Sequence, residues 1–386
     1  MSICKLLRRR GSRYSDTTAP TITTATVEDA NPNKLVVVFS EVVTITNTTG
    51  LTITGAATPT LSAPTGSGTD TITFTLSAAL TNGQSVTLNV ASSNTIKDAA
   101  NNSLAATTPA ITNNVAAFIY EAETTSYMNA VAIPNDNTVY YATTPQEITG
   151  AALWTSVDTF VAALKTNSIL SKMKAIYPFI GGTAATHKWN LMNPLDTDAA
   201  YRLTFFGSLV HNEFGMKGNG SNSYANTNAF HNAVFTLNSE SFGTYQGNAL
   251  AGGYNTIGCF DGTNGSHIMP DFDSTQSVTR SQSITTGGDR LLFTVMSSEA
   301  MHLINRNSSA EYRFRKRDQV LTIVKQATGL VNLPMFIGAR RESGGANYYS
   351  PHKIGFSFLA DGLSIAEEDA FVILVNQLQT DLKRNA

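Results

Sequence analysis

The stretch Thr69-Asp-Thr-Ile-Thr-Phe-Thr-Leu76 alternates polar and apolar side chains from Thr71 onward. A period of two predicts a strand with one buried face and one face in water. Comparable runs around it are Thr21–Val27, Lys34–Phe39, Leu51–Thr54 and Ser85–Val90, separated by turn residues such as Asn31-Pro32-Asn33 and Asn82-Gly83. Short strands at this spacing predict an immunoglobulin-like (Ig-like) β-sandwich over residues 18–115.

The same segment contains, in order, Ala19-Pro20-Thr-Ile, Leu35–Glu41 and Ile96–Leu104. With these pieces it resembles the bacterial Ig-like domains of large surface and phage proteins. The resemblance implies a spacer or adhesive module without a catalytic role.

Acidic residues of this segment could be read as calcium ligands, but none lies in a run with the alternating spacing of a calcium loop. We therefore interpret them as solvated or capping carboxylates and predict no metal site. The residues are Asp29, Glu41, Asp70 and Asp98.

The longer part of the chain, residues 116–386, combines strand-like runs with two helical stretches. A helical period over about 151–175, and a capping box at Ser364-Ile-Ala-Glu367 that opens a helix over about 364–384, predict one helix on each flank. Strand-like runs between them are Tyr201–Phe206, Arg290–Met296, Val320–Val324, Phe336–Gly338 and Lys353–Phe358. This order predicts a two-sheet jelly-roll sandwich, so the whole chain is predicted to be mainly β.

This part also contains, in order, Trp189–Pro194, Gly215–Thr227, Phe336–Arg340 and Ile354–Ser364. Through this ordered set, residues from about 118 to 386 resemble phage virion proteins that carry a concanavalin A-like lectin domain. The resemblance implies a structural protein exposed on a capsid or tail, and it adds glycan binding as an expectation. Domains of this fold also serve as spacers or trimerisation units, so the fold alone does not establish sugar binding.

Residues 1–17 form a basic arm ahead of the first sandwich. Its cations are Lys5, Arg8, Arg9, Arg10 and Arg13, in a chain whose net charge is −2. The arm lacks the apolar segment of a signal peptide, and no later stretch has the length of a membrane span. We therefore predict synthesis in a host cytoplasm, no membrane insertion, and docking of the arm on other virion proteins. The near-neutral net charge argues against a general nucleic-acid binder.

Signatures of catalysis are missing from the sequence. It contains no Glu-x-Asp-x-x-Glu run, the strand motif that presents the paired carboxylates of a retaining glycosidase on a sandwich fold. The histidines are scattered, and Cys4 and Cys259 are far apart in sequence. The nucleophile elbow, P-loop and dinucleotide glycine patterns do not occur. We predict no enzyme, no cofactor and no metal.

Tyr312–Arg317 is the strongest run of positive charge beyond the arm. Its alternation predicts rings on one face of a strand and cations on the other. Two interpretations stay open: an edge strand protected by charge, or a subunit contact through Arg313, Arg315 and Arg317.

A second mixed cluster consists of Arg340 and Arg341 with Tyr348 and Tyr349, in a loop that contains two glycines. Aromatic rings stack on the C–H face of a sugar, and polar loop groups bind its hydroxyls. These four residues are therefore predicted glycan contacts, with ordinary exposed loop residues as the alternative.

Taken together, these observations predict a phage virion structural protein displayed on the particle. The pattern does not choose between capsid decoration, a head fibre and a tail-associated position. Expected partners are other virion proteins, glycans and further copies of the chain. The alternatives are a bacterial surface adhesin or carbohydrate-binding protein and, third, a polysaccharide-degrading enzyme.

Overall fold

A computed structural model of the protein describes residues 16–116, 119–141, 147–248, 250–273, 276–284, 289–292 and 300–384. The chain divides into two units, Met1–Ile119 and Tyr120–Ala386. The predicted docking residues Lys5, Arg8, Arg9, Arg10 and Arg13 lie outside the described residues. No helix in the part of the chain that the structure describes combines the length and apolar composition of a membrane span.

The first unit is built from strands, as its alternating sequence predicts. In chain order they are β1 (Ile22–Glu28), β2 (Lys34–Thr44), β3 (Leu51–Gly55), β4 (Leu61–Thr65), β5 (Thr69–Leu76), β6 (Val86–Val90), β7 (Lys97–Asp98) and β8 (Ala110–Asn114). Hydrogen bonds join them in the order β3-β6-β8-β1-β2-β5-β4, and β7 pairs with β2.

One core holds the first unit together. Val37 and Phe39 from β2 meet Ile72 and Phe74 from β5 there, together with apolar residues of the other strands, and all four are at most 3% exposed. The intervening residues of β5 are threonines that stay half-buried or exposed. The alternation therefore separates core from surface and confirms the predicted sandwich.

The first and last strands of this unit are neighbours. β1 pairs with β2 in antiparallel fashion but with β8 in parallel, through Thr26 opposite Thr112 and Glu28 opposite Asn114. The chain therefore enters and leaves the unit along two adjacent strands that run in the same direction.

The second unit contains the remaining strands. They are β9 (Val139–Tyr141), β10 (Ile148–Thr149), β11 (Met173–Tyr177), β12 (Thr204–Phe206), β13 (Val210–Asn212), β14 (Gly215–Lys217), β15 (Tyr224–Phe230), β16 (Glu240–Gln246), β17 (Ile257–Phe260), β18 (Asn264–Met269), β19 (Gln276–Ile284), β20 (Asp289–Leu292), β21 (Ala300–Arg306), β22 (Glu311–Lys316), β23 (Gln319–Val324), β24 (Pro334–Ile337), β25 (Arg340–Glu342), β26 (Gly345–Asn347) and β27 (Lys353–Ala360). All the predicted runs contain a strand, although residues 293–296 of the run Arg290–Met296 lie outside the described residues.

Most of these strands form two sheets. The central sheet has the order β13-β14-β27-β16-β21-β22-β23, with β11 also paired to β27. The outer sheet has the order β12-β15-β24-β17-β18-β19-β20, and β25 and β26 branch from β17. The predicted mainly β, sandwich-like architecture is confirmed, whereas the finer resemblance to a concanavalin A-like lectin stays a prediction.

Helices add a third layer on the central sheet. In the described residues they are α1 (Ala122–Val131), α2 (Gly150–Thr166), α3 (Ala184–His187), α4 (His231–Val234) and α5 (Ile365–Asp381), with 3₁₀ turns at Leu170–Lys172 and Asp198–Ala200. Leu303 of β21 packs in the core that contains α1, α2 and α5, while its neighbour Ile304 packs in the core shared with the outer sheet. The middle strands β27, β16 and β21 of the central sheet are therefore buried on both faces.

The helix predicted over about 151–175 is wrong in its second half. α2 ends at Thr166, and Ser168 adopts a φ of 59° that reverses the chain. Met173–Tyr177 is then a strand paired with β27. The apolar stripe misled the prediction because Leu170 and Met173 continue into the same core as α2.

The terminal helix follows its sequence more closely. α5 spans Ile365–Asp381, within the predicted 364–384. The Ser364 hydroxyl accepts a hydrogen bond from the Glu367 amide at 3.3 Å, and the Glu367 carboxylate accepts one from the Ser364 amide at 2.7 Å. This reciprocal pair is the predicted capping box. The first helix, α1, is not predicted at all.

Candidate functional site

Three aromatic side chains line up across neighbouring strands of the outer sheet. Phe206 of β12 lies opposite Tyr224 of β15, and Phe336 follows on β24. Ala225 and Ile337, the residues next to Tyr224 and Phe336, are fully buried in the core between the sheets. Because side chains alternate along a strand, the three rings lie on the opposite, outward face. We call Phe206, Tyr224 and Phe336 the aromatic stack.

The rings of the aromatic stack face one another. The centroids of Phe206 and Tyr224 are 4.8 Å apart with an angle of 12° between the planes, and those of Tyr224 and Phe336 are 4.5 Å apart with an angle of 19°. These are offset-stacked pairs, so the facing ring surfaces are covered. Phe336 is 5% exposed, but Phe206, at the edge of the sheet, is 41% exposed. The stack therefore offers an aromatic surface at its Phe206 end.

A short hairpin made of β25 and β26 lies at the other end of the stack. Arg340 is 9% exposed, donates to the Glu342 carboxylate at 3.0 Å, and places its guanidinium 4.3 Å from the Tyr348 ring centroid. The Tyr349 hydroxyl donates to the Ala346 carbonyl at 2.9 Å. Arg340 and Tyr349 therefore hold the hairpin in shape, and Tyr348 is 40% exposed beside them.

Arg341 joins the hairpin to the aromatic stack. Its guanidinium carbon is 5.7 Å from the Phe336 ring centroid, and the side chain is half-buried. Burial raises the pKa of the Tyr224 hydroxyl, as does the neighbouring Tyr349, and the charge of Arg341 opposes both. Stack and hairpin thus form one continuous surface with a cation at one end and an open ring at the other.

The sequence predicted part of this surface. Arg340, Arg341, Tyr348 and Tyr349 lie at or next to the stack, on a strand hairpin and the residues after it. The aromatic stack itself was missed, because its members come from strands far apart in the sequence. Phe206 was visible only as a member of a strand-like run, Tyr224 only inside a motif that carries the resemblance and Phe336 in both kinds of stretch, and nothing indicated that the three meet.

Of the three arginines predicted as subunit contacts, Arg313 and Arg315 lie on β22 and Arg317 follows it. β22 pairs with β21 on one side and β23 on the other, so the edge-strand interpretation is wrong. Arg313 and Arg315 donate to the fully buried Glu368 of α5 at 2.9 and 3.0 Å, whereas Arg317 is exposed in the turn after the strand. Tyr312 and Phe314 lie on one face of β22 and Arg313 and Arg315 on the other, but Lys316 shares the face of the rings, where it pairs with the buried Asp271 at 2.6 Å. Arg313 and Arg315 pair within the chain.

Replacing Glu368 with glutamine is expected to lower the free energy of unfolding by about 1–3 kcal/mol. The carboxylate also accepts a bond from the Asn305 amide at 2.9 Å, and a glutamine would turn an NH₂ group toward donors. Urea unfolding of Glu368→Gln measures the loss. Glu311→Gln, at an exposed glutamate of β22, is the matched control and should behave like the parent protein.

A buried Ser–His–Glu cluster lies between the two sheets. His231 Nε2 is 2.7 Å from Glu240 and 3.0 Å from the Ser266 hydroxyl, and Ser266 in turn donates to Glu240 at 2.9 Å. His231 Nδ1 accepts the Val331 amide hydrogen at 3.1 Å, so in the neutral ring Nε2 carries the proton. The ring therefore cannot act as a base toward Ser266 while the acid orients Nδ1, as a nucleophilic triad requires.

Three carboxylates of the first unit approach one another. Oxygens of Asp16, Glu41 and Asp98 lie within 4.8 Å. Both oxygens of Asp98 accept bonds from Asn102 at 2.7 Å. Burial tends to raise the pKa of Asp98, but these hydrogen bonds outweigh it and hold the pKa below its usual value. Asp98 thus closes a turn, and no metal is assigned to the group.

Comparison with known proteins identifies the first unit. Residues 16–118 match the family model of the bacterial Ig-like domain. No curated protein matches the chain.

Two solved structures show limited likeness. The N-terminal part of the bacterial S-layer protein SbsC is 21% identical with a TM-score of 0.22, over 25% of this chain and 24% of that one. Domain 4 of AbnA, an extracellular arabinanase from Geobacillus stearothermophilus in complex with arabinotriose, is 11% identical with a TM-score of 0.37, over 53% of this chain and 98% of that one. The chain spans about a quarter of the SbsC structure. The family match, by contrast, confirms the predicted Ig-like sandwich, and residues 16–118 are a bacterial Ig-like domain.

Proposed function

We propose that this chain is a non-catalytic display protein on the surface of a phage particle and that its second unit contacts glycans. The observation that carries the proposal is the aromatic stack with its exposed Phe206 ring. A sugar presents an apolar C–H face that packs on such a ring, while its hydroxyls bond to polar groups nearby. Asn347 and Tyr348, both exposed, supply such groups at the hairpin end.

The placement on a virion is supported by the sequence. The basic arm carries five cations in its sequence, and we expect such a segment to dock on an acidic partner surface. The Ig-like domain suits a spacer between that anchor and the second unit. The resemblance of residues from about 118 to 386 to virion proteins points the same way.

A non-catalytic role is supported by the polar clusters. The Ser266–His231–Glu240 group is buried and has the wrong hydrogen-bond order for a nucleophilic triad. The paired-carboxylate motif of sandwich glycosidases does not occur in the sequence.

Glycan contact is tested by removing the exposed ring. Phe206→Ala should weaken binding on a glycan array at least about tenfold, which corresponds to about 1.4 kcal/mol. The matched control is Phe230→Ala, at another phenylalanine of the outer sheet that is 44% exposed. Equal binding by both variants would overturn the assignment of the stack.

The virion placement needs a separate experiment. Quantitative mass spectrometry of gradient-purified particles should find the full-length chain in stoichiometric amounts. A chain that lacks residues 1–16 should be lost from them. Absence of the full-length chain from particles would overturn the virion role and favour a bacterial adhesin.

A further inference from the structure

We infer that the glycan bound at the aromatic stack is an acidic oligosaccharide whose carboxylate is held by Arg341. The inference rests on the proposed glycan contact and adds the chemical class of the ligand. It starts from the position of Arg341, whose guanidinium lies against the Phe336 ring of the aromatic stack.

The Arg341 side chain has no ion-pair partner in the part of the chain that the structure describes. Arg202 pairs with Asp196 and Asp198, and Arg313 pairs with Glu368. Within the residues that the structure describes, the Arg341 side chain donates no hydrogen bond and forms no ion pair. Its guanidinium lies against the Phe336 ring, and its charge acts on the Tyr224 hydroxyl. The guanidinium, which stays charged at any physiological pH, is therefore available to a ligand.

The nearest carboxylate in sequence is already engaged. One Glu342 oxygen accepts from Arg340 at 3.0 Å, and the other accepts from the Asn347 amide at 3.1 Å. Strand alternation separates the two arginines, since Arg340 and Glu342 share one face of β25 and Arg341 points to the other. That other face is the one that carries the aromatic stack.

The chemistry of the surface then selects the ligand. A guanidinium offers a planar fork of N–H donors that matches a carboxylate, and lying against a ring keeps it oriented. A sugar acid combines such a carboxylate with an apolar ring face. Neutral sugars would leave the positive charge of Arg341 without a counterpart.

The geometry of the surface also bears on the size of the ligand. Successive separations of 4.8 Å, 4.5 Å and 5.7 Å lead from Phe206 through Tyr224 and Phe336 to the Arg341 guanidinium. The strand β15 lies between β12 and β24, so Phe206 and Phe336 are two strand spacings apart, about 10 Å. Because Arg341 lies against Phe336, we take the ligand to be an oligosaccharide whose acidic residue is displaced from the one that packs on Phe206.

The test uses the full chain and an array on which each uronate-bearing oligosaccharide is printed beside its carboxyl-reduced counterpart. The parent protein should bind the acidic member at least about tenfold more tightly. Arg341→Gln should bind both members equally, and Phe206→Ala should weaken both. Arg317→Gln, at an exposed arginine in a turn, should keep the full preference. Thermal unfolding of each variant confirms that the fold is retained.

The outcomes separate the two proposals. Equal binding of acidic and reduced members by the parent protein, with both weakened in Phe206→Ala, would overturn the acidic ligand and leave glycan contact standing. A preference that survives in Arg341→Gln would overturn the role of Arg341. A preference for sulfated glycans over uronates would overturn the assignment of a carboxylate as the group that Arg341 binds. Binding to none of the printed glycans would overturn glycan contact and, with it, this inference.

Discussion

Acidification from pH 7 to pH 5 is expected to destabilise the second unit by several kcal/mol and to leave the first unit nearly unchanged. Five histidines of the second unit have pKa values below their usual range, mainly because burial penalises the charged ring. They are His187, His211, His267, His302 and His352. Neighbouring groups add to the effect of burial at some of them, such as Arg340 and Arg280 beside His267.

The direction of the change in stability with pH follows from proton binding. Below about pH 6.5 the unfolded chain takes up more protons on these histidines than the folded unit does, so the free energy of unfolding falls as the pH falls. The loss is at most about 1.4 kcal/mol per pH unit for each histidine and continues down to its folded pKa. For His352 that value is about 4. Carboxylates with lowered pKa, such as Glu367, begin to contribute only below about pH 4.5.

The two units can be followed separately in the intact chain. Both tryptophans, Trp154 and Trp189, belong to the second unit, so their fluorescence reports its unfolding in urea at pH 7, 6 and 5. The first unit contains no histidine and is the internal control in calorimetry. In His352→Gln the free energy of unfolding should fall less steeply with decreasing pH, because one histidine fewer takes up a proton on unfolding. A tryptophan transition that does not move between pH 7 and pH 5 would contradict the prediction.

The second large effect is expected from Arg306, where replacement by lysine should cost about 3–5 kcal/mol. The side chain is fully buried, and its guanidinium donates five hydrogen bonds to groups among the described residues. They go to the Ser281 hydroxyl and to the carbonyls of Ser281, Ser308, Glu311 and Lys325, at 2.9–3.2 Å. A lysine keeps the charge but has only three donors in a different geometry, so carbonyl groups would be buried without a partner.

A bridging serine enlarges the expected loss. The Ser281 hydroxyl accepts from Arg306 and donates at 2.6 Å to the buried Glu240. Displacing the guanidinium therefore also disturbs a buried carboxylate. Urea unfolding followed by tryptophan fluorescence measures the change, and Arg317→Lys is the matched control at an exposed arginine. A loss below about 0.5 kcal/mol for Arg306→Lys would contradict this account.

The fold was largely predictable where local sequence and burial agree. Strand alternation around Thr69–Leu76 and the capping box at Ser364 are local signals, and both elements form as predicted. The helix α2 was extended too far because Leu170 and Met173 keep the apolar period while the backbone has already left the helix. The spacing of apolar residues indicates which side chains are buried. Buried side chains can continue after the helix has ended, so the spacing does not show where the helix ends.

Only those residues of the candidate site that are close together in the sequence could be predicted as a group. Arg340, Arg341, Tyr348 and Tyr349 are close in sequence, so their chemistry could be seen together. The aromatic stack depends on strand order, which brings β12, β15 and β24 side by side. Likewise, Arg313 and Arg315 looked available because their partner Glu368 is more than fifty residues away. Contacts between residues so far apart in sequence depend on the order of the strands in the sheets. The alternation of polar and apolar residues along one strand does not contain that order.

The parallel pairing of β1 and β8 has a mechanical consequence. A pull that separates the two ends of the Ig-like domain acts along these neighbouring strands in opposite directions. The hydrogen bonds between them, spanning Thr26 to Glu28 against Thr112 to Asn114, are then loaded in shear and must break together. A hairpin pulled at its open end would instead lose its bonds one after another. The domain is therefore built to carry tension between whatever precedes β1 and whatever follows β8.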